Sequence, residues 1–451
     1  MLYYSSIREL NWRFQQGILT PIELTETILQ KANQVEAGIL LDTFEAQALE
    51  EAKASTKRWQ KQVALGLFDG IPCVWKDLFD VKGSVTTAGS KAYQNRPEAF
   101  VDAPIVAAYK KCGGINIGKA GLSELAYSGL GINPAFGTPI NPFDQQQQRI
   151  PGGSSSGSAA AVSAELCAFS MGSDTSGSIR IPSAFHHLVG YKPSQHRFNQ
   201  NQVFPLSTTL DEIGPIAKSV QDCFDVTNLF LNRAPALLDN FDLSNQTFIV
   251  PSNVVFEDID ASVLQRFQDV CLSLQDHGAK IIFKAVPELE TIIEAIRNHG
   301  TFAAAESFYY HQPVLASETG LLIDQRVLDR MYRAKTMLAS DYVALLDIRK
   351  HIIAQMAKTY QNSIFLMPTV VINPPLLAPL LDSDELFHQT NVLVLRNTSL
   401  FNFTDSPSIS IPMPLGVEGL PAGLMLSALS GEDDGLFPVA HAVERVLAKM
   451  Q

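Results

Sequence analysis

Nowhere does the chain run for 18 consecutive apolar residues, and Met1 to Leu10 carry no basic segment followed by an apolar core. Neither a membrane span nor an export signal is therefore expected. Cysteine is scarce: Cys73, Cys112, Cys167, Cys223 and Cys271 are dispersed, odd in number and never spaced as Cys-x-x-Cys. That argues against a disulfide framework and a zinc site, and it fits a reducing cytoplasm. No Lys/Arg cluster rises above the acidic background, and the formal net charge is −12. Sequence-independent attraction to nucleic acid is thus disfavoured, and a small uncharged or weakly charged ligand fits better. Low-complexity tracts and long Pro/Gly linkers are missing as well. With 451 residues and 46% apolar content, the expectation is one large domain over 1–451.

What is present has two textures. Thr20-Pro21-Ile22-Glu23 opens a helix, with Thr as cap, Pro in the first turn and Glu reaching back. Leu24, Ile28 and Ala32 then share one face. Glu45 to Gln60 reads as a second helix, leading to turn residues Gly66 and Gly70. From Asp69 to about Asp222 Gly and Ser cluster densely and strand-like runs such as Ile115-Asn116-Ile117 are few, which suits a site better than a plain core. Regular patterning then returns. Thr247 to Val250 reads as a strand, Val263, Leu264, Phe267, Val270, Cys271 and Leu274 as one helix face, and Lys280 to Phe283 as a parallel strand. A long helix over Asp341 to Lys358 and strands at Ile364 to Met367, Ser408 to Ile411 and Gly423 to Leu426 complete an α/β reading with a mixed sheet flanked by helices.

Three motifs carry candidate chemistry. Gly70 to Asp77 places Lys76 at the end of an apolar run, where burial disfavours its charge and a neutral amine can accept a proton. Taken alone, a solvated lysine at a strand end is the commoner reading. Pro151 to Ser158 precedes the helix-forming Ala159 to Val162, bringing glycines and several hydroxyls to a helix start. By itself this is more often a flexible loop or a capped entry. Gly172 to Pro182 is a tight turn after an apolar run, in which successive N–H groups can point at one oxygen and stabilise an oxyanion. A structural strand-to-helix turn explains it equally well in isolation.

Together, and in this order, the motifs resemble those of the amidase signature family. The likeness extends through Leu210-Asp211-Glu212-Ile213-Gly214-Pro215, Met367-Pro368-Thr369 and Gly419 to Leu424, nearly the whole chain, and 24 positions separate Ser154 from Ser178, as is usual in the family. The resemblance implies a Ser-cisSer-Lys triad of Ser178, Ser154 and Lys76, with a cis Gly153-Ser154 peptide. It implies that Lys76 draws a proton from Ser154, which draws one from Ser178 as that oxygen attacks an amide carbon. Backbone N–H groups of Thr175, Ser176, Gly177 and Ser178 would hold the oxyanion, and Tyr127, Ser128, Gly129 and Ser155 would contact substrate, in a signature core of about 69–222 with a variable pocket region of about 286–337. No metal or organic cofactor is implied. The partners implied are a small amide and water, with homodimerisation open.

The pattern is broken in places. Ser176 stands where Gly is usual, Gly118-Lys119-Ala120-Gly121 replaces Gly-Lys-Thr-Asn, and Gln195-His196-Arg197 replaces Tyr-Gly-Arg. A glutamyl-tRNA amidotransferase subunit is the runner-up within the resemblance, but Leu122-Ser123-Glu124-Leu125 lacks that group's Met-Asp-Glu-Phe. The allophanate-hydrolase branch usually carries a further C-terminal domain, and the expectation here is the amidase portion alone. Outside it, Gly153-Ser154-Ser155-Ser156-Gly157 matches the nucleophile elbow of α/β-hydrolases, with Ser155 attacking and a distant His and Asp as its partners. His186-His187 are similarly tempting as bases, but two adjacent histidines after a helix start are more simply structural. Asp144 to Arg149, with four glutamines, is a poor buried strand for that elbow. A phosphate cradle at Gly152 to Ser158 lacks the following Gly-Lys-Ser/Thr. A catalytically dead relative would be expected to have lost Lys76, Ser154 or Ser178.

Overall fold

Local signals set the outer helices. In the computed structural model, which describes residues 6–450, Thr20 and Glu23 form a reciprocal capping box at the helix Pro21–Ala32. Met1 to Ser5, part of the stretch read for an export signal, lie outside the described residues. The Ala/Glu/Lys-rich stretch is a helix over Glu45–Gln60, and the long C-terminal pattern is a helix over Ala339–Thr359.

Eleven strands form one sheet: β1 (Leu40–Thr43), β2 (Pro72–Lys76), β3 (Ile115–Ala120), β4 (Phe169–Asp174), β5 (Val189–Lys192), β6 (Glu212–Ala217), β7 (Thr247–Pro251), β8 (Lys280–Lys284), β9 (Ser363–Pro368), β10 (Ser408–Pro412) and β11 (Gly423–Ser427). Their order is β1-β3-β2-β4-β6-β5-β10-β11-β9-β7-β8. The sheet is mixed: β2 pairs in parallel with β3 and β4, β7 with β8 and β9, and the other neighbours are antiparallel. The expected parallel crossover from β7 through Ala261–Asp276 to β8 is present.

The Gly/Ser-rich stretch differs from its sequence reading, since five strands, β2 to β6, lie within it. They are buried along their whole length. A strand covered on both faces needs no polar alternation, and small residues such as Gly118, Ser170, Gly172 and Gly190 inside these strands hide the apolar run.

This burial positions the site. Trp75 packs edge-on against Tyr109, with ring centroids 5.8 Å apart, and Tyr109 against Phe169 at 5.4 Å. Successive side chains of a strand point to opposite faces, so anchoring Trp75 on one face directs Lys76 to the other. Parallel pairing of Trp75 with Met171 brings the end of β4 beside it.

Candidate active site

Lys76 is fully buried. Its Nζ lies 2.7 Å from Ser154 Oγ and 2.8 Å from Ser173 Oγ. Burial pushes its pKa down to about 7, against the pull of the Asp174 and Asp211 charges, which favour the ammonium. A lysine so placed is close to half neutral at neutral pH. Ser154 follows a cis Gly153–Ser154 peptide bond and precedes the helix Ser156–Ser163.

Ser178 sits on the turn between β4 and the helix Arg180–Phe185. Its carbonyl accepts from Ser155 N at 3.1 Å, and its own hydroxyl has no hydrogen-bond partner among the described residues. Lys76 and Ser154 are therefore in direct contact, while Ser178 is held beside them through the backbone of the next residue. Catalytic hydrogen bonds are often completed only when substrate is bound.

The turn is shaped from within by Asp174. Its carboxylate accepts from Gly177 N at 2.7 Å and Ile179 N at 3.1 Å. It also takes a two-pronged contact from Arg180, at 3.0 Å from Nε and 2.9 Å from Nη2. Burial alone would raise its pKa, but Arg180, with Lys192 and Asn402, holds the carboxyl well below the ordinary range. Asp174 thus stays charged, with its oxygens committed to Arg180, the turn and Asn402 rather than to Lys76. Both side chains of the Asp174–Arg180 pair are fully buried. Removing one partner strands a charge, so Arg180→Ala is expected to lower stability by about 3–5 kcal/mol; a urea midpoint at the wild-type value would contradict this.

Among the expected oxyanion donors, Gly177 has its N–H committed to Asp174, whereas the backbone N–H groups of Thr175, Ser176 and Ser178 donate to no acceptor among the described residues. The Ser176 departure falls at a tolerant position. Ser176 is half-exposed, whereas Gly177 has φ +132° and a Cβ there would lie 2.1 Å from Thr398 Oγ1. The glycine the turn requires is the second one, and it is kept.

Ser128 and Gly129 are tied to the motif residues, and Tyr127 is buried beside them in sequence. Gly153 N donates to Gly129 O at 2.8 Å, and Asn391 Oδ1 accepts from Gly129 N at 2.8 Å and from Ser128 Oγ at 3.1 Å. Arg330 stands over the Tyr127 ring, 4.4 Å from its centroid. Ser155 Oγ donates to Ser173 O at 3.2 Å. No strand leads directly into it, since the nearest preceding strand, β3, ends at Ala120, and His186 Nδ1 lies 2.9 Å from Pro182 O, with burial holding the ring down at about 4.

Ser123, Ser173, Asp174 and Asp211 have no site role in the sequence reading. Ser123 N donates to Ser154 O at 3.1 Å, and Ser123 Oγ to Ser128 O at 2.9 Å, tying two motifs together. Ser173 lines a cavity of about 410 Å³ with Gln195, Gln200, Thr208, Asp211 and Glu212. The position of Ser173 and Asp174 just before the Gly-Ser turn is the available signal for both. Asp211 lies in a segment that carries the family likeness, though nothing there gives it a role, and nothing local marks Ser123. Lys119, in a departing segment, is buried in an ion pair with Asp77 at 3.1 Å, while Gln195, in the other, lines the cavity. Among the described residues no group of His, Cys, Asp and Glu is arranged to hold a metal ion, and no helix is long and apolar enough to cross a membrane.

A mixed α/β sheet of eleven strands holds a buried lysine against a serine, close to a Gly-Ser turn. Residues 23–437 match the family described as Amidase, and the chain belongs to that family. It is an amidase signature hydrolase by sequence and fold. It is 28% identical over 455 residues to a 2-amino-5-chloromuconic acid deaminase of Comamonas testosteroni, covering 98% of this chain and 96% of that one. It is 27% identical to a glutamyl-tRNA(Gln) amidotransferase subunit of Chlamydia pneumoniae, over 98% and 95% of the two chains. A crystal structure of an amidase superposes with a TM-score of 0.87 at 26% identity, over 98% of this chain and all of that one.

Proposed function

We propose that the chain hydrolyses a small carboxamide through a covalent acyl-enzyme on Ser178. The observation that carries this reading is the buried Lys76 amine 2.7 Å from Ser154 Oγ, with the nearby Asp174 already engaged by Arg180. A lysine with no carboxylate of its own can give up its proton near neutral pH and act as a base.

In the proposed cycle neutral Lys76 takes the Ser154 proton and Ser154 takes that of Ser178 as Oγ bonds to the amide carbon. The resulting oxyanion is met by the N–H groups of Thr175, Ser176 and Ser178, with Gly177 shaping the turn through Asp174. Ser154 then protonates the leaving nitrogen and is reprotonated by Lys76. Water attacks the acyl-enzyme by the same relay, releasing acid and free Ser178. Tyr127, Ser128 and Gly129 line the acyl side, and residues from about 286 to 337 supply the variable wall.

A fluorophosphonate probe followed by peptide mass spectrometry is expected to label Ser178. Labelling at Ser155 would overturn the reading in favour of the elbow. Purified chain should also release ammonia from an amide library without added proteins; activity that appears only with partner chains would favour an amidotransferase subunit.

A further inference from the structure

Asp211 precedes β6 and is half-buried at the cavity wall, yet no step of the cycle above uses it. One oxygen, Oδ1, accepts from Thr175 Oγ1 at 2.5 Å. The other, Oδ2, accepts from Leu206 N at 2.8 Å and Ser207 N at 2.9 Å. One carboxylate therefore joins the oxyanion turn to the loop that walls the cavity beside Ser173. That loop is pinned from its far side. Glu306, on the helix Phe302–Leu315 in the variable region, accepts from Thr209 N at 3.1 Å and from Tyr342 OH at 2.7 Å.

We propose that Asp211 is a positioning residue, which transmits the placement of the 206–209 loop to the Thr175 end of the oxyanion turn and sets the field felt by Lys76. This rests on the Ser178 reading and deepens it, linking the variable pocket wall to the chemistry through Glu306, Thr209, Asp211 and Thr175. A shift of the loop moves Oδ2, and a rigid planar carboxylate moves Oδ1 and the Thr175 hydroxyl with it. Two anions act on Lys76, Asp174 from β4 and Asp211. Asp174 is already paired with Arg180, so the less compensated charge is that of Asp211, faced in turn by Glu306. Desolvation pushes the Asp211 carboxyl up to about 6, which leaves it ionised where Lys76 titrates.

Asp211→Asn retains the shape and removes the charge; its amide oxygen can still accept from Leu206 N and Ser207 N, while its NH2 meets Thr175 Oγ1 as a donor instead of an acceptor. The expected result is kcat lowered roughly 10- to 100-fold at nearly unchanged KM. The acid limb of the kcat profile should also move about one unit toward lower pH, because losing a nearby anion destabilises the Lys76 ammonium. Thr175→Val, which cuts only the hydroxyl contact, is expected to lower kcat while leaving the limb in place. A merely structural Asp211 would change Tm but not the limb. Wild-type kcat and an unmoved limb in Asp211→Asn would overturn the proposal; should that variant fail to fold, wild-type kcat in Thr175→Val would do so. Either result with Ser178 still labelled by fluorophosphonate leaves the hydrolase reading intact, whereas loss of Ser178 labelling in wild type would remove both.

Discussion

Ser178→Ala is expected to abolish amide hydrolysis, lowering kcat by roughly 10⁴- to 10⁶-fold, with the fold preserved. The hydroxyl it removes has no partner among the described residues, so no buried group is orphaned. The backbone bond from Ser155 N to the residue 178 carbonyl, 3.1 Å in the native chain, does not depend on the side chain. Urea denaturation should therefore place the variant within about 0.5 kcal/mol of wild type. Ammonia release at the wild-type rate would sink the assignment. Residual turnover well above the uncatalysed rate would not, since the oxyanion donors remain.

Lys76→Met carries the second large effect, a fall in kcat of roughly 10²- to 10⁴-fold, the usual contribution of a general base. Methionine approximates the volume of the lysine stem, which limits the cavity left in the core beside β2. The wild-type pH profile carries the sharper signature. The amine accepts a proton only when neutral, and burial brings its pKa down to about 7. Activity should fall as pH drops through that value and level off above it. An ordinary lysine would instead keep the rate climbing toward about pH 10. A profile flat between about pH 6 and 8, or retention of that limb in Lys76→Met, would exclude the lysine relay.

The motif residues are legible because each is a local requirement. A turn with φ +132° and Thr398 against it admits only glycine at 177, and a lysine ending an apolar run is recognisable without knowing its neighbours. The sheet is less legible. Strands β2 to β6 lie buried on both faces and are interrupted by Gly and Ser, so neither alternation nor a clean apolar run marks them. Counting Gly177 among the oxyanion donors is a reasonable reading of the turn, but its N–H direction depends on where Asp174 is held, and that is set by Arg180 and Asn402, the latter from a distant part of the chain.

By itself, the sequence determined the helix entries at Thr20 and Glu45, the β7 to β8 crossover, the family and the residue types available for chemistry, because these depend on neighbours a few positions away or on motif spacing. Only the tertiary structure decided that Lys76 meets Ser154 across 78 positions, that Arg180 rather than Lys76 compensates Asp174, and that Asp211 reaches Thr175 from 36 positions away. Burial and charge pairing act through space, and a lowered lysine pKa exists only where the folded chain excludes water and directs the neighbouring carboxylate elsewhere.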